Sequence, residues 1–143
     1  MHLQIANAKV FSSNSIRLTL RGGAGQSLFA GAKIQWQITR FKGFYRPASA
    51  KGREWFDADK VGSSILLRHW QPGDRFQPIG MSHPVKLQDF FTNLKVPATR
   101  RRELMVAATA EGEVFWVEGM RISERFKLSK GTIRRLQWRW KRL

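Results

Sequence analysis

Cysteine is absent from the 143 residues. No disulfide, thiolate zinc site, iron–sulfur cluster or cysteine nucleophile can be built without it, and its absence fits a reducing cytoplasm. Apolar runs approaching the ~20 residues of a membrane span are also missing. The start, Met1-His2-Leu3-Gln4-Ile5, has neither a basic n-region nor a long apolar h-region, so no secretory leader is expected. Acidic residues are scarce: 10 Asp and Glu stand against 26 Lys and Arg, a formal charge of +16. Such an excess opposes compaction by self-repulsion and serves a polyanionic partner, which could be nucleic acid, an anionic membrane surface or an acidic protein. Hydrophobic residues make up 42% and aromatics 12%. That is enough for a packed core in one domain or two small lobes, not a disordered basic tail. Residues 1–71 carry 11 basic and 3 acidic groups and residues 72–143 carry 15 and 7, so each half is +8. The charge belongs to a folded surface, not to an arm.

The first third reads as β structure. Leu3 to Phe11 is strand-like, and Ser12-Ser13-Asn14 turns the chain. Ser15 to Leu20 alternates, with Ile16, Leu18 and Leu20 on one face. Gly22 to Ser27 reads as a hairpin connection; it superficially resembles a phosphate loop but has no Walker lysine. Lys33 to Phe41 alternates again, with Ile34, Trp36 and Ile38 opposite Gln35, Gln37 and Thr39, as in an antiparallel sheet with one wet face. The basic loop of residues 42–53 is the candidate boundary between a β-rich lobe, residues 1–53, and a second unit, residues 54–143. Trp55 to Lys60 leads into a short strand at Ile65-Leu66-Leu67, and structural capping suits Asp57 and Asp59 better than carboxylate chemistry. A helix is predicted from a Ser82 cap and Pro84 through a stripe of Leu87, Phe90, Phe91 and Leu94, ending before Pro97. Leu104 to Ala108 and Val114 to Val117 flank a Glu111-Gly112 turn, and Leu136 to Lys141 alternates as a strand.

Three stretches carry chemistry. Pro72-Gly73 suits a type II turn, followed at once by Asp74 and Arg75. Arg75 on that rigid loop could fork onto phosphate, or Asp74 could cap the turn and pair with Arg75. Arg100-Arg101-Arg102 is either a solvated charge run or a phosphate tract, and the +16 background favours the second. In Arg134 to Arg142, Trp138 and Trp140 suit the core side of a strand, leaving Arg135, Arg139 and Lys141 outside, within reach of phosphate. His2, His69 and His83 lack metal-ligand spacing, and no Ser–His–Asp set is present, so no catalytic or metal residues are expected.

The run from Phe56 to Thr132 resembles the C-terminal domain of bacterial tRNA(Ile)-lysidine synthetases. The resemblance rests on Phe56-Asp57-Ala58-Asp59-Lys60, Leu67-Arg68, Pro72-Gly73-Asp74-Arg75-Phe76, Pro78, Gly80, Lys86-Leu87, Asp89-Phe90-Phe91, Lys95-Val96-Pro97, Trp116-Val117, Gly119, Arg121-Ile122, Arg125-Phe126-Lys127 and Thr132. It implies an α+β fold, a small antiparallel β lobe followed by a three-layer α/β sandwich similar to a domain of the phenylalanyl-tRNA synthetase β chain. It also implies a role: gripping an isoleucine tRNA with a CAU anticodon while the wobble cytidine is adenylated with ATP and joined to lysine. That chemistry, with its ATP and Mg, belongs to an N-terminal PP-loop domain whose SGGxDS motif this sequence does not contain. This chain is therefore expected to be cytoplasmic, cofactor-free and non-catalytic alone, binding tRNA and the PP-loop domain but no membrane. A stand-alone RNA-binding module is the alternative. The candidate tRNA contacts are Arg68, Arg75, Lys86, Lys95, Arg100, Arg101 and Arg121.

Overall fold

The computed structural model describes residues 14–41, 47, 50–120 and 122–143. The expected strand at Leu3–Phe11 and most of the basic loop of residues 42–53 lie outside the described residues, as does Arg121. The elements are β1 (Ser15–Thr19), β2 (Ala24–Phe29), β3 (Ala32–Arg40), β4 (Arg53–Asp57), α1 (Ala58–Val61), β5 (Ser64–His69), β6 (Arg75–Phe76), β7 (Val85–Lys86), α2 (Leu87–Asn93), α3 (Ala98–Glu103), β8 (Met105–Thr109), β9 (Val114–Val117), a 3₁₀ turn (Glu124–Phe126) and β10 (Arg134–Arg142). One four-stranded sheet runs β1-β5-β8-β9, a second runs β2-β3-β10-β4, and β6 pairs with β7 in a short ribbon. Every pairing is antiparallel. The fold is α+β, and each sheet draws strands from both sides of residue 53.

Three layers follow from how β8 and β9 are buried. All residues of both strands are inside, as the continuous apolar run of a strand covered on two faces requires. Met105 and Ala107 join Ile34, Trp36, Phe56, Leu136 and Trp138 in a core between the two sheets. Val106 and Ala108 point the other way, into a core with Trp70, Phe76, Leu87, Phe90 and Phe91. The first sheet is thus the middle layer. The second sheet covers one of its faces, and α2 and the β6–β7 ribbon cover the other, with α3 following α2. Trp138 is fully buried, and Trp140 packs partly against Trp116 at a 5.0 Å ring separation, matching their expected core side.

Two local readings change. The stretch taken as a hairpin connection is a turn at Gly22-Gly23 followed by strand β2, which pairs with β3 along its length. Gly25 hides that strand in the sequence because a Cβ there would lie 2.4 Å from the Trp36 ring, so the indole needs glycine opposite it. The approach to β5 contains α1, capped by Asp57, whose Oδ1 accepts from the Asp59 and Lys60 amides at 3.0 and 3.3 Å. Thr132 Oγ1 donates to its other oxygen at 2.8 Å, tying the cap to the loop before β10.

Candidate nucleic-acid interface

The Pro72-Gly73 turn organises the helical layer. Gly73 takes φ of 96°, and the Asp74 amide donates to Gln71 O at 3.0 Å, the type II geometry expected of that dipeptide. The Asp74 carboxylate accepts from the Gln71 amide at 2.7 Å and receives both terminal nitrogens of Arg68, at 2.9 and 3.0 Å. Asp74 therefore caps the turn, as weighed, but pairs with Arg68 and not with Arg75. Arg68 is largely spent on this fork and half-buried beside it, which leaves it little freedom as a phosphate contact.

Arg75 is left exposed on β6, directly opposite Lys86 on β7. No ion pair among the described residues involves either one. Two cations facing one another across a ribbon repel. They stand at a cleft of about 430 Å³ whose other walls include Met81, Pro84, Asp89, Phe90 and Leu94. The loop between them is held in place by Ile79 N to Ile122 O at 2.8 Å, Gly80 N to Glu124 Oε1 at 2.9 Å and Met81 N to Pro78 O at 3.0 Å.

The helix is shorter than expected. Ser82 Oγ bonds His83 Nδ1 instead of capping, Val85-Lys86 joins the ribbon, and α2 begins at Leu87. Leu87, Phe90 and Phe91 are buried as the stripe required, but Leu94 ends the helix and is 51% exposed. The helix stops because Lys95 enters the left-handed region at φ 58°. The Val96 amide then reaches Phe91 O at 2.9 Å and the Lys95 amide reaches Thr92 O at 3.0 Å. This is the paired closure of a Schellman motif, with lysine where glycine is usual. The Lys95 side chain is exposed, with no ion pair to a described residue.

The arginine triplet is a short helix, α3, that follows Pro97 and sends its side chains apart. Arg100 is exposed and lines a second cleft of about 720 Å³ with Lys51, Trp140, Arg139 and Lys141. Arg101 folds back: its Nε donates to Val96 O at 2.7 Å, and its guanidinium sits 5.8 Å from the Phe91 ring centroid. Arg101 is therefore a positioning residue for the α2–α3 junction. Arg102 is half-buried. Of the seven candidates, Arg75, Lys86, Lys95 and Arg100 are exposed cations on the helical layer, Arg68 and Arg101 serve the scaffold, and Arg121 lies outside the described residues.

Elsewhere several carboxylates are paired. Arg125 pairs with Glu113, Lys127 with Glu124 at 2.6 Å, and Arg134 with Asp59 at 2.9 Å. Glu118, buried after β9, takes two hydrogen bonds from Arg142 at 2.7 and 2.8 Å. The hydrogen bond to Glu118, above all, holds the Arg142 guanidinium above its ordinary value. Arg142 also donates to Ala30 O and Glu103 O, both at 2.8 Å, so the end of β10 ties the second sheet to the end of α3. The sequence reading missed this knot, because Arg142 and Glu118 are joined only once β10 crosses the sandwich. Among the described residues no group of His, Asp and Glu could hold a metal, and no helix is long and apolar enough to cross a membrane.

These features define an antiparallel α+β sandwich whose helical layer carries exposed, unpaired cations. The same fold is found in a solved structure described as the crystal structure of TILS C-terminal domain, with a TM-score of 0.71 over 91% of this chain and 98% of that one at 19% identity. A fragment of the phenylalanyl-tRNA synthetase β-subunit from Pyrococcus horikoshii overlaps less, with a TM-score of 0.55 over 64% of this chain and 28% of the other. The family model for the TilS substrate C-terminal domain matches residues 65–138, and the chain belongs to that family. Curated relatives are tRNA(Ile)-lysidine synthases. That of Clostridium acetobutylicum is 43% identical over 82 residues, and that of Caldanaerobacter subterraneus subsp. tengcongensis is 39% identical over 79. These matches cover 57% and 55% of this chain but only 18% and 17% of the relatives, so the chain spans less than a fifth of their length.

Proposed function

We propose that this chain is the tRNA-gripping part of a tRNA(Ile)-lysidine synthase, holding an isoleucine tRNA with a CAU anticodon by its phosphates. Lysidine formation at the wobble cytidine, with its ATP and Mg, would belong to a PP-loop domain outside these 143 residues. The observation that carries this reading is the facing pair Arg75 and Lys86, two exposed cations held opposite each other, neither of them in an ion pair with a described residue, Asp89 on the cleft wall included. That arrangement is unfavourable alone and becomes favourable when a phosphate lies between the two side chains. Lys95 and Arg100 add two more exposed cations on the same layer. A-form RNA hides its base edges in a deep, narrow groove, so a stem is gripped through backbone and shape. The relatives' description as tRNA(Ile)-lysidine synthases supports an isoleucine tRNA as the partner, and cytoplasmic residence accords with that reading.

The test is a binding titration against the tRNA transcript, with duplex DNA as control, at several salt concentrations. Three neutralised phosphates, one of them shared by Arg75 and Lys86, should give a slope of log K on log salt of roughly −2 to −3, at −0.7 to −0.9 per contact. A flat salt response, or DNA bound as tightly as tRNA, would overturn the reading. Incubation of the chain with ATP, lysine and tRNA should yield no lysidine.

A further inference from the structure

The second sheet has a wet outer face, and its register brings like charges together. In one cross-strand row Gln26, Gln35, Arg139 and Arg53 stand side by side on β2, β3, β10 and β4. In the next row Lys33 faces Lys141, and in the row on the other side Gln37, Gln137 and Trp55 are aligned. Directly opposed residues on one face have Cβ atoms only about 5 Å apart, and like charges so placed repel. Here two such pairs, Arg53 with Arg139 and Lys33 with Lys141, sit in adjacent rows.

Among the described residues two carboxylates, Glu54 and Glu118, line the cleft beside Arg139 and Lys141, and Glu118 is taken up by Arg142. Glu54 is opposite Trp138, so its register position is on the other side of the sheet, and it reaches these cations only at the cleft on the sheet's edge. Asp57, at the far end, is buried under its own cap and Thr132. None of the four cations makes an ion pair with a described residue, and Arg53 Nε is buried with no hydrogen-bond partner. Glutamines border the cations, and their amides can donate to phosphate or exchange hydrogen bonds with a ribose hydroxyl. The face is continuous with the helical layer. Arg139 and Lys141 share the 720 Å³ cleft with Arg100, and Arg142 fastens the end of β10 to the end of α3 beside it.

We propose that this outer sheet face is a second RNA-backbone surface. A phosphodiester strand runs from Arg100 across the cleft onto Arg139, Arg53, Lys141 and Lys33. The proposal rests on the tRNA-binding reading above, and it adds a second contact zone on the opposite outer layer of the sandwich. The two repelling pairs are then each bridged by a backbone phosphate, which the exposed cleft mouth can admit.

The experiment compares the full chain with the double variant Arg139→Gln/Lys141→Gln and, separately, with Arg75→Gln/Lys86→Gln, each titrated with the isoleucine tRNA transcript. Both sheet positions are exposed, so the variant folds, and relief of repulsion leaves its melting temperature unchanged or higher. Its tRNA affinity should fall on the order of tenfold, with a salt slope shallower by roughly 1.5, since two phosphate contacts are lost. Wild-type affinity and slope in the sheet variant, with loss in the Arg75/Lys86 variant, would overturn the second surface alone. Wild-type behaviour in both variants would overturn the tRNA-binding reading with it.

Discussion

Arg68 and Asp74 meet fork to fork beneath the Gln71–Asp74 turn, at 2.9 and 3.0 Å, with only 17% and 12% of their side chains exposed. Asp74 also accepts the Gln71 amide, and its own carbonyl receives the Leu87 amide at 2.8 Å. One residue therefore fixes the turn, the end of β5 and the start of α2. Replacing Asp74 with Asn keeps its size but removes the charge that Arg68 faces. It should destabilise the chain by about 2 kcal/mol, the scale of a lost charge-assisted hydrogen bond at a half-enclosed site. Urea denaturation would measure it, and an unchanged midpoint would show that the pair is ornamental to the fold.

Lys95 separates stability from binding. Its backbone occupies the left-handed region that glycine tolerates and lysine resists. Lys95→Gly should leave the chain as stable or raise its stability by about 1 kcal/mol. Its tRNA affinity should nonetheless drop several-fold, and its salt slope should become shallower by about 0.8. A residue kept in a strained conformation only for local structure would gain stability on this change and lose no affinity. The two readouts, thermal melting and tRNA titration, therefore move apart only if the ammonium meets phosphate.

The sequence made the alternating strands legible, because Ile34, Trp36, Leu136 and Trp138 repeat at the period of a half-buried sheet and their burial follows it. It concealed β2 because the decisive term there is the Trp36 ring, which arrives from β3 and demands Gly25. It overran α2 because Leu94 satisfies helical spacing, while the turn at Lys95 depends on two backbone hydrogen bonds that periodicity does not encode. The site was half legible for a similar reason. Charge identified Arg68, Arg75 and Arg101 alike, but only the fold reveals which guanidinium finds a carboxylate or carbonyl. Gly25→Ala tests the first point: a methyl 2.4 Å from the indole must displace the ring, at about 1–3 kcal/mol. A melting temperature equal to wild type would mean that Trp36 repacks freely.

His69 gives the fold a pH dependence. It lies at the end of β5 with its ring 5.5 Å from Phe29 and its Nδ1 buried without a partner. Burial, reinforced by the nearby Arg142 charge and opposed by Glu118, holds its pKa below the usual 6.5. The unfolded chain therefore takes up this proton at a higher pH than the folded one. Linkage then gives full stability above pH 6.5 and a loss as pH falls from there towards the depressed folded value. Denaturation midpoints should decline between about pH 7 and 5, and His69→Gln should flatten that decline. An equally steep profile in the variant would assign the effect to other groups.

Arg100 and Arg101 are neighbours in sequence with opposite duties. Arg101 donates to Val96 O at 2.7 Å and lies against Phe91, so it closes the junction between α2 and α3. Arg101→Ala should therefore cost about 1–2 kcal/mol of stability, from the lost hydrogen bond to a buried-side carbonyl and the lost packing of its stem. Arg100 extends into the cleft with no described partner. Arg100→Ala should melt like wild type yet bind tRNA several-fold more weakly, with a salt slope shallower by about 0.8. Because the two substitutions remove the same charge one residue apart, net charge and long-range steering are matched between them. A difference in their melting curves isolates the scaffold role of Arg101, and a difference in salt slope isolates the contact made by Arg100.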